Sequence, residues 1–132
     1  MRLPDWQLRF SEFAAQRRQR AFEWGSNDCC LFAADAVQAL TGTDPAADLR
    51  GTYSDALAAA RLVEARGGLA AIATAALGEQ VGPLMAAVGD VVLLMNEGRE
   101  LLGICNGVNA IGPGPDGMAV LGMDAATAAW KV

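Results

Sequence analysis

The residues best placed to do chemistry lie in the run Trp24-Gly25-Ser26-Asn27-Asp28-Cys29-Cys30-Leu31-Phe32-Ala33. A loop of Gly, Ser and Asn ends in Asp-Cys, and apolar residues follow at helical spacing, so Cys29 is expected to open a helix. A thiol at a helix N-terminus feels the dipole and the unpaired N–H groups, which favour thiolate. Thiolate attacks carbonyl carbon, so the chemistry would be nucleophilic acyl transfer at Cys29. A cysteine is also an ordinary small core residue. On that reading Cys30 and Cys105 belong to the core, and only Cys29 is placed to react.

A nucleophilic cysteine needs a base, and amide cleavage needs an acid for the leaving amine. The chain has no histidine. It therefore supplies neither a Cys-His pair nor a His-ligated metal. Asp28 is adjacent, but a neighbouring carboxylate raises a thiol pKa. Arginine does not give up its proton. The three cysteines, two of them adjacent, lack the Cys-x-x-Cys spacing of zinc and iron–sulfur sites, so no metal and no cofactor are expected. Three reduced thiols are the expectation, with a disulfide from Cys105 to the Cys29–Cys30 pair as the alternative.

The elements that must hold these residues are legible in outline. Trp6, Phe10, Phe13 and Ala14 recur at helical spacing and predict a first helix from Asp5 to about Arg20. The second runs from about Asp28 to Leu40 and stops at Gly42, with a face of Cys29, Ala33, Ala36 or Val37, and Leu40. Asp44-Pro45 breaks the chain, and Pro45–Leu49 adds one short helical turn. Ser54 or Asp55 caps a third helix from about Ala56 to Arg66, and Leu69–Leu77 is a fourth, closed by Gly78.

The second half reads as strands: Val91–Met95, Glu100–Cys105, Asn106–Ile111 and Met118–Leu121. Asn96-Glu97-Gly98 is a hairpin turn, and Gly112 to Gly117 is a rigid Pro/Gly turn. A helical turn is expected around Ala125–Trp130. Strand parity puts Leu101, Gly103 and Cys105 on one face, so Cys105 is expected to approach the helix bearing Cys29 and Cys30. The order is helices first and an antiparallel sheet second, an α+β fold in one domain, 1–132. Residues 1–21 form its first helix, 22–78 the helical part and 79–132 the sheet part. Near-terminal Trp130 is the candidate contact for a partner.

Hydrophobic residues make up 53% of the 132-residue chain and charged residues 19%, which argues against disorder. The net charge of −5 leaves no basic footprint for nucleic acid. The N-terminal 24 residues are nevertheless basic, with five Arg against Asp5, Glu12 and Glu23. The Arg17–Arg20 cluster is read as a solvated helix end, with a docking patch for an acidic neighbour as the alternative. No apolar run reaches about 18 residues, so no membrane insertion is expected. The start MRLPDWQLRF lacks an apolar h-region, so residence in the cytoplasm, or exit without a signal peptide, is expected.

These residues carry a resemblance. Trp24-Gly25 leading to Asp28-Cys29, then Gly89-Asp90-Val91-Val92-Leu93, then Leu102-Gly103-Ile104-Cys105-Asn106-Gly107, resembles the NlpC/P60 family. Those are papain-like cysteine peptidases that cut peptidoglycan stem peptides. The resemblance spans roughly residues 22–122. It implies a papain-like α+β fold, with the nucleophile falling on Cys29 and Asp28 as its motif neighbour. The family's general base, a His two residues before the Gly-Ile pair, falls on Leu101. A further set, Phe22 to Asp35, Thr41 to Pro45, Leu49 to Tyr53 and Gly67 to Leu69, is similar to a His-less subgroup of tailed-phage and prophage proteins.

That resemblance implies a structural component of a phage or prophage tail tip or baseplate, a pseudo-peptidase located in the virion and in host cytoplasm during assembly. Its implied partners are tail-hub and distal-tail proteins in threefold or sixfold copies. The alternative is an active peptidoglycan cysteine peptidase or amidase using Cys29 with a non-His or trans-supplied base. A third reading is a cytoplasmic assembly factor absent from the finished particle.

Overall fold

A computed structural model describes residues 1–132. Four helices come first: α1 (Trp6–Arg17), α2 (Cys29–Thr41), α3 (Ala56–Ala65) and α4 (Leu69–Leu77). Five strands follow: β1 (Val91–Asn96), β2 (Arg99–Cys105), β3 (Asn109–Gly114), β4 (Gly117–Gly122) and β5 (Ala126–Trp130). They form one antiparallel sheet in the order β4-β3-β2-β1-β5. The α+β order expected from the sequence is therefore the architecture of the chain.

The helices stop and start where their caps dictate. Asp28 caps α2 through its side chain, which accepts from the Leu31 N–H, and Asp55 caps α3 by accepting from Ala58. Gly42 closes α2 in the left-handed region at φ 79°, which only glycine enters freely. Glu97 and Gly98 both have positive φ between the paired Asn96 and Arg99, the two-residue turn that suits the twist of a hairpin.

Several expectations are corrected. The C-terminal segment is not a helical turn: Ala126–Trp130 is strand β5, and the only helix there is one 3-10 turn at Met123–Ala125. β1 lies between β2 and β5, so the main-chain needs of β1 override the helix propensity of an Ala-rich run. The third strand begins at Asn109, because the Asn106 side chain accepts from the Val108 and Asn109 N–H groups and folds residues 106–108 into a turn. Strand β3 runs through Pro113 to Gly114, so the Pro/Gly turn narrows to Pro115-Asp116. Helix α1 ends at Arg17, whereas residues 45–50 do make the expected single turn, with the Leu49 and Arg50 N–H groups both donating to the Ala46 carbonyl. Trp130 is fully buried, with its indole N–H donating to Thr74 Oγ1 at 3.1 Å, and so is not a surface anchor for a partner.

The sheet is covered on both faces. On one, Phe10 and Phe13 of α1 and Phe32, Ala36 and Leu40 of α2 pack on Val91, Leu93, Leu102, Ile104 and Trp130. On the other, Val92, Leu94, Cys105, Ala110 and Ala129 lie under the 81–86 segment and the turn at Met123. The termini meet at Asp90, which is wholly buried. It accepts from Arg2 Nη2 at 3.1 Å, Lys131 Nζ at 2.5 Å, and the N–H groups of Val132 and Ala87 at 2.9 Å each.

Candidate functional site

The site grows from the loop before α2. Asn27 and Asp28 are both buried. Asn27 Nδ2 donates to the carbonyls of Arg20 and Ala21, and its Oδ1 accepts from Arg17 Nη1 at 3.0 Å. Arg17 also pairs with Asp35, and Arg50 joins Asp35 at 2.5 Å and Asp44 at 2.7 Å. This chain of ions ties α1, α2 and the 44–50 loop together. Arg17 is thus a structural clamp rather than part of a solvated helix end.

Asp28 is held by three donors. Its Oδ1 accepts from Leu31 N–H at 3.0 Å, and its Oδ2 accepts from Gly25 N–H at 2.9 Å and from the Tyr53 hydroxyl at 2.7 Å. Gly25, at φ 81°, passes so close to the 53–54 backbone that a Cβ would lie 2.5 Å from the Tyr53 carbonyl oxygen. Only glycine fits there. The sole tyrosine of the chain and the Asp-Cys loop are therefore locked together by one backbone approach and one side-chain hydrogen bond.

Cys29 is the first residue of α2, as expected, and is partly exposed. Its thiol pKa lies above the ordinary range. Burial pushes it up to about 11, the Leu102 main-chain N–H pulls the other way, and the Asp28 charge pushes it further up. Cys30 is pushed up to about 12, by burial first and then by the charges of Cys29 and Asp28. The helix N-terminus favours thiolate, but loss of water around the sulfur outweighs it. Burial, and then its hydrogen bond to Asp28, raises the Tyr53 phenol well above its ordinary value.

The position facing the thiol also differs from expectation. Leu101 pairs with Leu94 and sits with it on the sheet face away from the helices. Leu102, paired with Leu93, shares the helix-side core with Cys29. The parity inferred for Leu101, Gly103 and Cys105 as a set holds, but the set faces the other way. Cys105 is consequently remote from the Cys29–Cys30 pair, and all three thiols are free. No three His, Cys, Asp or Glu side chains converge as a metal cage.

Above the thiols lies a cleft of about 450 Å³. It is lined by Cys29, Cys30 and Tyr53, by Leu62 of α3 and Ile72 of α4, and by Arg99 of the β1–β2 hairpin. Sequence reasoning found Cys29 and Asp28 and missed Tyr53 and Leu102 as site residues. Tyr53 carried a usable signal: it ends the Leu49-Arg50-Gly51-Thr52-Tyr53 run, and it is the only phenol available.

Over residues 1–132 the chain matches the family described as "Domain of unknown function (DUF6950)". No curated protein and no solved structure matches it.

Proposed function

The chain belongs to the DUF6950 family, and from that premise we propose that it is a non-catalytic structural protein, built on a papain-like fold of the NlpC/P60 type whose cysteine site is retained but inactive. The observation that carries this reading is the environment of Cys29. The sulfur heads α2 beneath an open cleft, yet burial holds it as a thiol with an ordinary value raised to about 11. Apolar Leu102 shares its core, and both oxygens of Asp28 are engaged in holding the loop. Amide cleavage needs a thiolate and a proton donor in the same cleft. Here burial withholds the thiolate, and the one phenol in the cleft, Tyr53, already gives its proton to a hydrogen bond with Asp28.

The setting follows from the resemblance of the Phe22–Asp35 and Leu49–Tyr53 runs to tailed-phage proteins. In that setting the chain is a tail-tip or baseplate component, contacting tail-hub and distal-tail proteins in symmetric copies. The competing reading is a peptidoglycan peptidase completed by a base from another chain; the cleft that opens on Cys29 favours it. Incubating the purified protein with muropeptides and reading the products by mass spectrometry separates the two. No cleavage is expected. Cleavage lost in Cys29→Ala overturns the structural reading, and proteomics of purified virions tests the tail-tip setting.

A further inference from the structure

The two edges of the sheet are treated differently. At the β5 edge, Val81 exchanges two hydrogen bonds with Ala129, of 2.8 and 3.0 Å, and a bulge interrupts the ladder with β1. At the β4 edge closure is partial. Cys105 exchanges its main-chain bonds with Gly89 and Asp90, on the β1 side, so Ile104 directs its own to Ile111 of β3. Alternation then turns Ala110 and Gly112 toward β4, where they meet Leu121 and Ala119. Met118 and Val120 therefore point their N–H and carbonyl groups outward, and Gly122 its N–H, while the Gly122 carbonyl already accepts the first bond of the 3-10 turn at Met123–Ala125. Arg18 takes the first of these, its carbonyl accepting from the Met118 N–H at 2.9 Å. Val120 and the Gly122 N–H have no such cover.

An open edge is ordinarily blunted by a lysine, a proline, a bulge or an inward charge. Strand β4, Gly117-Met118-Ala119-Val120-Leu121-Gly122, has none of them, and its six-pair ladder with β3 is unbroken. Val120 is 57% exposed. At one end of the uncovered stretch is Arg18 and just past the other is Asp124; both are exposed, and neither makes an ion pair within the chain.

We propose that β4 pairs antiparallel with β4 of a second copy, about a twofold axis at Leu121. That register sets Val120 opposite Gly122 of the second copy and forms four main-chain hydrogen bonds, two on each side of the axis: each Gly122 N–H donates to a Val120 carbonyl, and each Val120 N–H to the second lone pair of a Gly122 carbonyl whose first serves the 3-10 turn. Leu121 meets its own symmetry mate, with Ala119 opposite Met123, so the apolar residues on that face continue across the joint. Met118, where Arg18 lies alongside, falls opposite Asp124 of the second copy, and this happens twice. The incoming strand ends, in the 3-10 turn at Met123–Ala125, where the Arg18 backbone begins to occupy the lane. The charges thus favour a second copy over an arbitrary strand. The patch is small, so the dimer is weak, with a Kd of about 100 µM. This inference is independent of what Cys29 does.

Sedimentation velocity from about 10 µM to about 1 mM, with amide exchange read residue by residue, tests it. A concentration-dependent dimer is expected, with Val120 and Gly122 amides gaining protection as it forms. Val120→Pro removes only an outward donor, so it should abolish the dimer while leaving the circular dichroism unchanged. Arg18→Asp and Asp124→Arg should each weaken self-association roughly tenfold, and a mixture of the two should pair again. This charge swap keeps the test decisive if the proline variant misfolds. A monomer up to the highest concentration, a dimer indifferent to Val120→Pro in a folded protein, or charge variants that fail to pair when mixed overturns the proposal.

Discussion

Tyr53 and Asp28, 25 residues apart in the chain, are joined by a 2.7 Å hydrogen bond from the phenol to Oδ2. The same oxygen holds the Gly25 N–H and the other caps α2 at Leu31. One carboxylate thus fixes the loop before Cys29, the helix after it and the Tyr53 segment that lines the cleft. The Asp of the Asp-Cys pair is here a structural residue: it positions the thiol and, through its charge, opposes ionisation of that thiol.

Removing Asp28 should therefore cost stability. Asp28→Ala leaves a capless helix and two further donors without an acceptor, and is expected to lower the unfolding free energy by about 2–4 kcal/mol. Tyr53→Phe removes one of the three bonds and should cost about 1–2 kcal/mol. Urea unfolding of both single variants and the double variant gives their coupling. Additive losses would mean that the phenol and the carboxylate do not act together.

The thiols set a pH signature. Cys29 and Cys30 ionise near their ordinary values when unfolded but near about 11 and about 12 when folded. The unfolded chain therefore releases protons first as pH rises. Their contribution to stability is whole below about pH 8.5 and declines from there toward pH 12. The midpoint of thermal unfolding should fall through this window, and Cys29→Ser/Cys30→Ser should flatten the decline. Iodoacetamide labelling of Cys29 should be slow at pH 7 and rise roughly tenfold per pH unit up to its folded value. Rapid labelling at pH 6 would point to an activated nucleophile instead.

The helices were readable because their ends are written locally. Asp28 and Asp55 announce the starts of α2 and α3, Gly42 and Gly78 the ends of α2 and α4, and α4 itself falls at Leu69–Leu77 as its spacing predicts. The sheet was less so. Leu101-Leu102-Gly103-Ile104-Cys105 is apolar at nearly every position because both of its faces are covered, so the period-two signal that would orient it is lost. The expectation of Leu101 beside the sulfur rests on the family motif alone, and this apolar run offers no alternation to check it. Strand β5 is defined by pairing with β1 more than thirty residues earlier, a partner that Ala-rich local sequence does not encode.

The orientation of β2 can be tested by putting a base back. Leu102→His places an imidazole in the core shared with Cys29, and should raise the rate of Cys29 alkylation at pH 7 roughly tenfold. Leu101→His points to the opposite face and should leave that rate unchanged. Because Leu102 is only 3% exposed, its replacement also destabilises the fold, so rates are to be compared under conditions where circular dichroism shows both variants folded. Equal activation by the two substitutions would reverse the assignment of faces.

Asp90 is expected to be the most sensitive carboxylate in the chain. It is 0% exposed, and its two oxygens receive Arg2, Lys131 and two main-chain N–H groups. Arg2 reaches further, its Nε donating to the Val132 carbonyl at 2.7 Å. Asp90→Ala leaves two cations and two donors without an acceptor, for a loss of about 3–5 kcal/mol. Arg2→Ala, by contrast, leaves Lys131 and the N–H groups in place, so a loss of about 1–2 kcal/mol is expected. Differential scanning calorimetry of the two variants gives the ranking. If Asp90→Ala unfolds no earlier than Arg2→Ala, the termini are not held through this carboxylate.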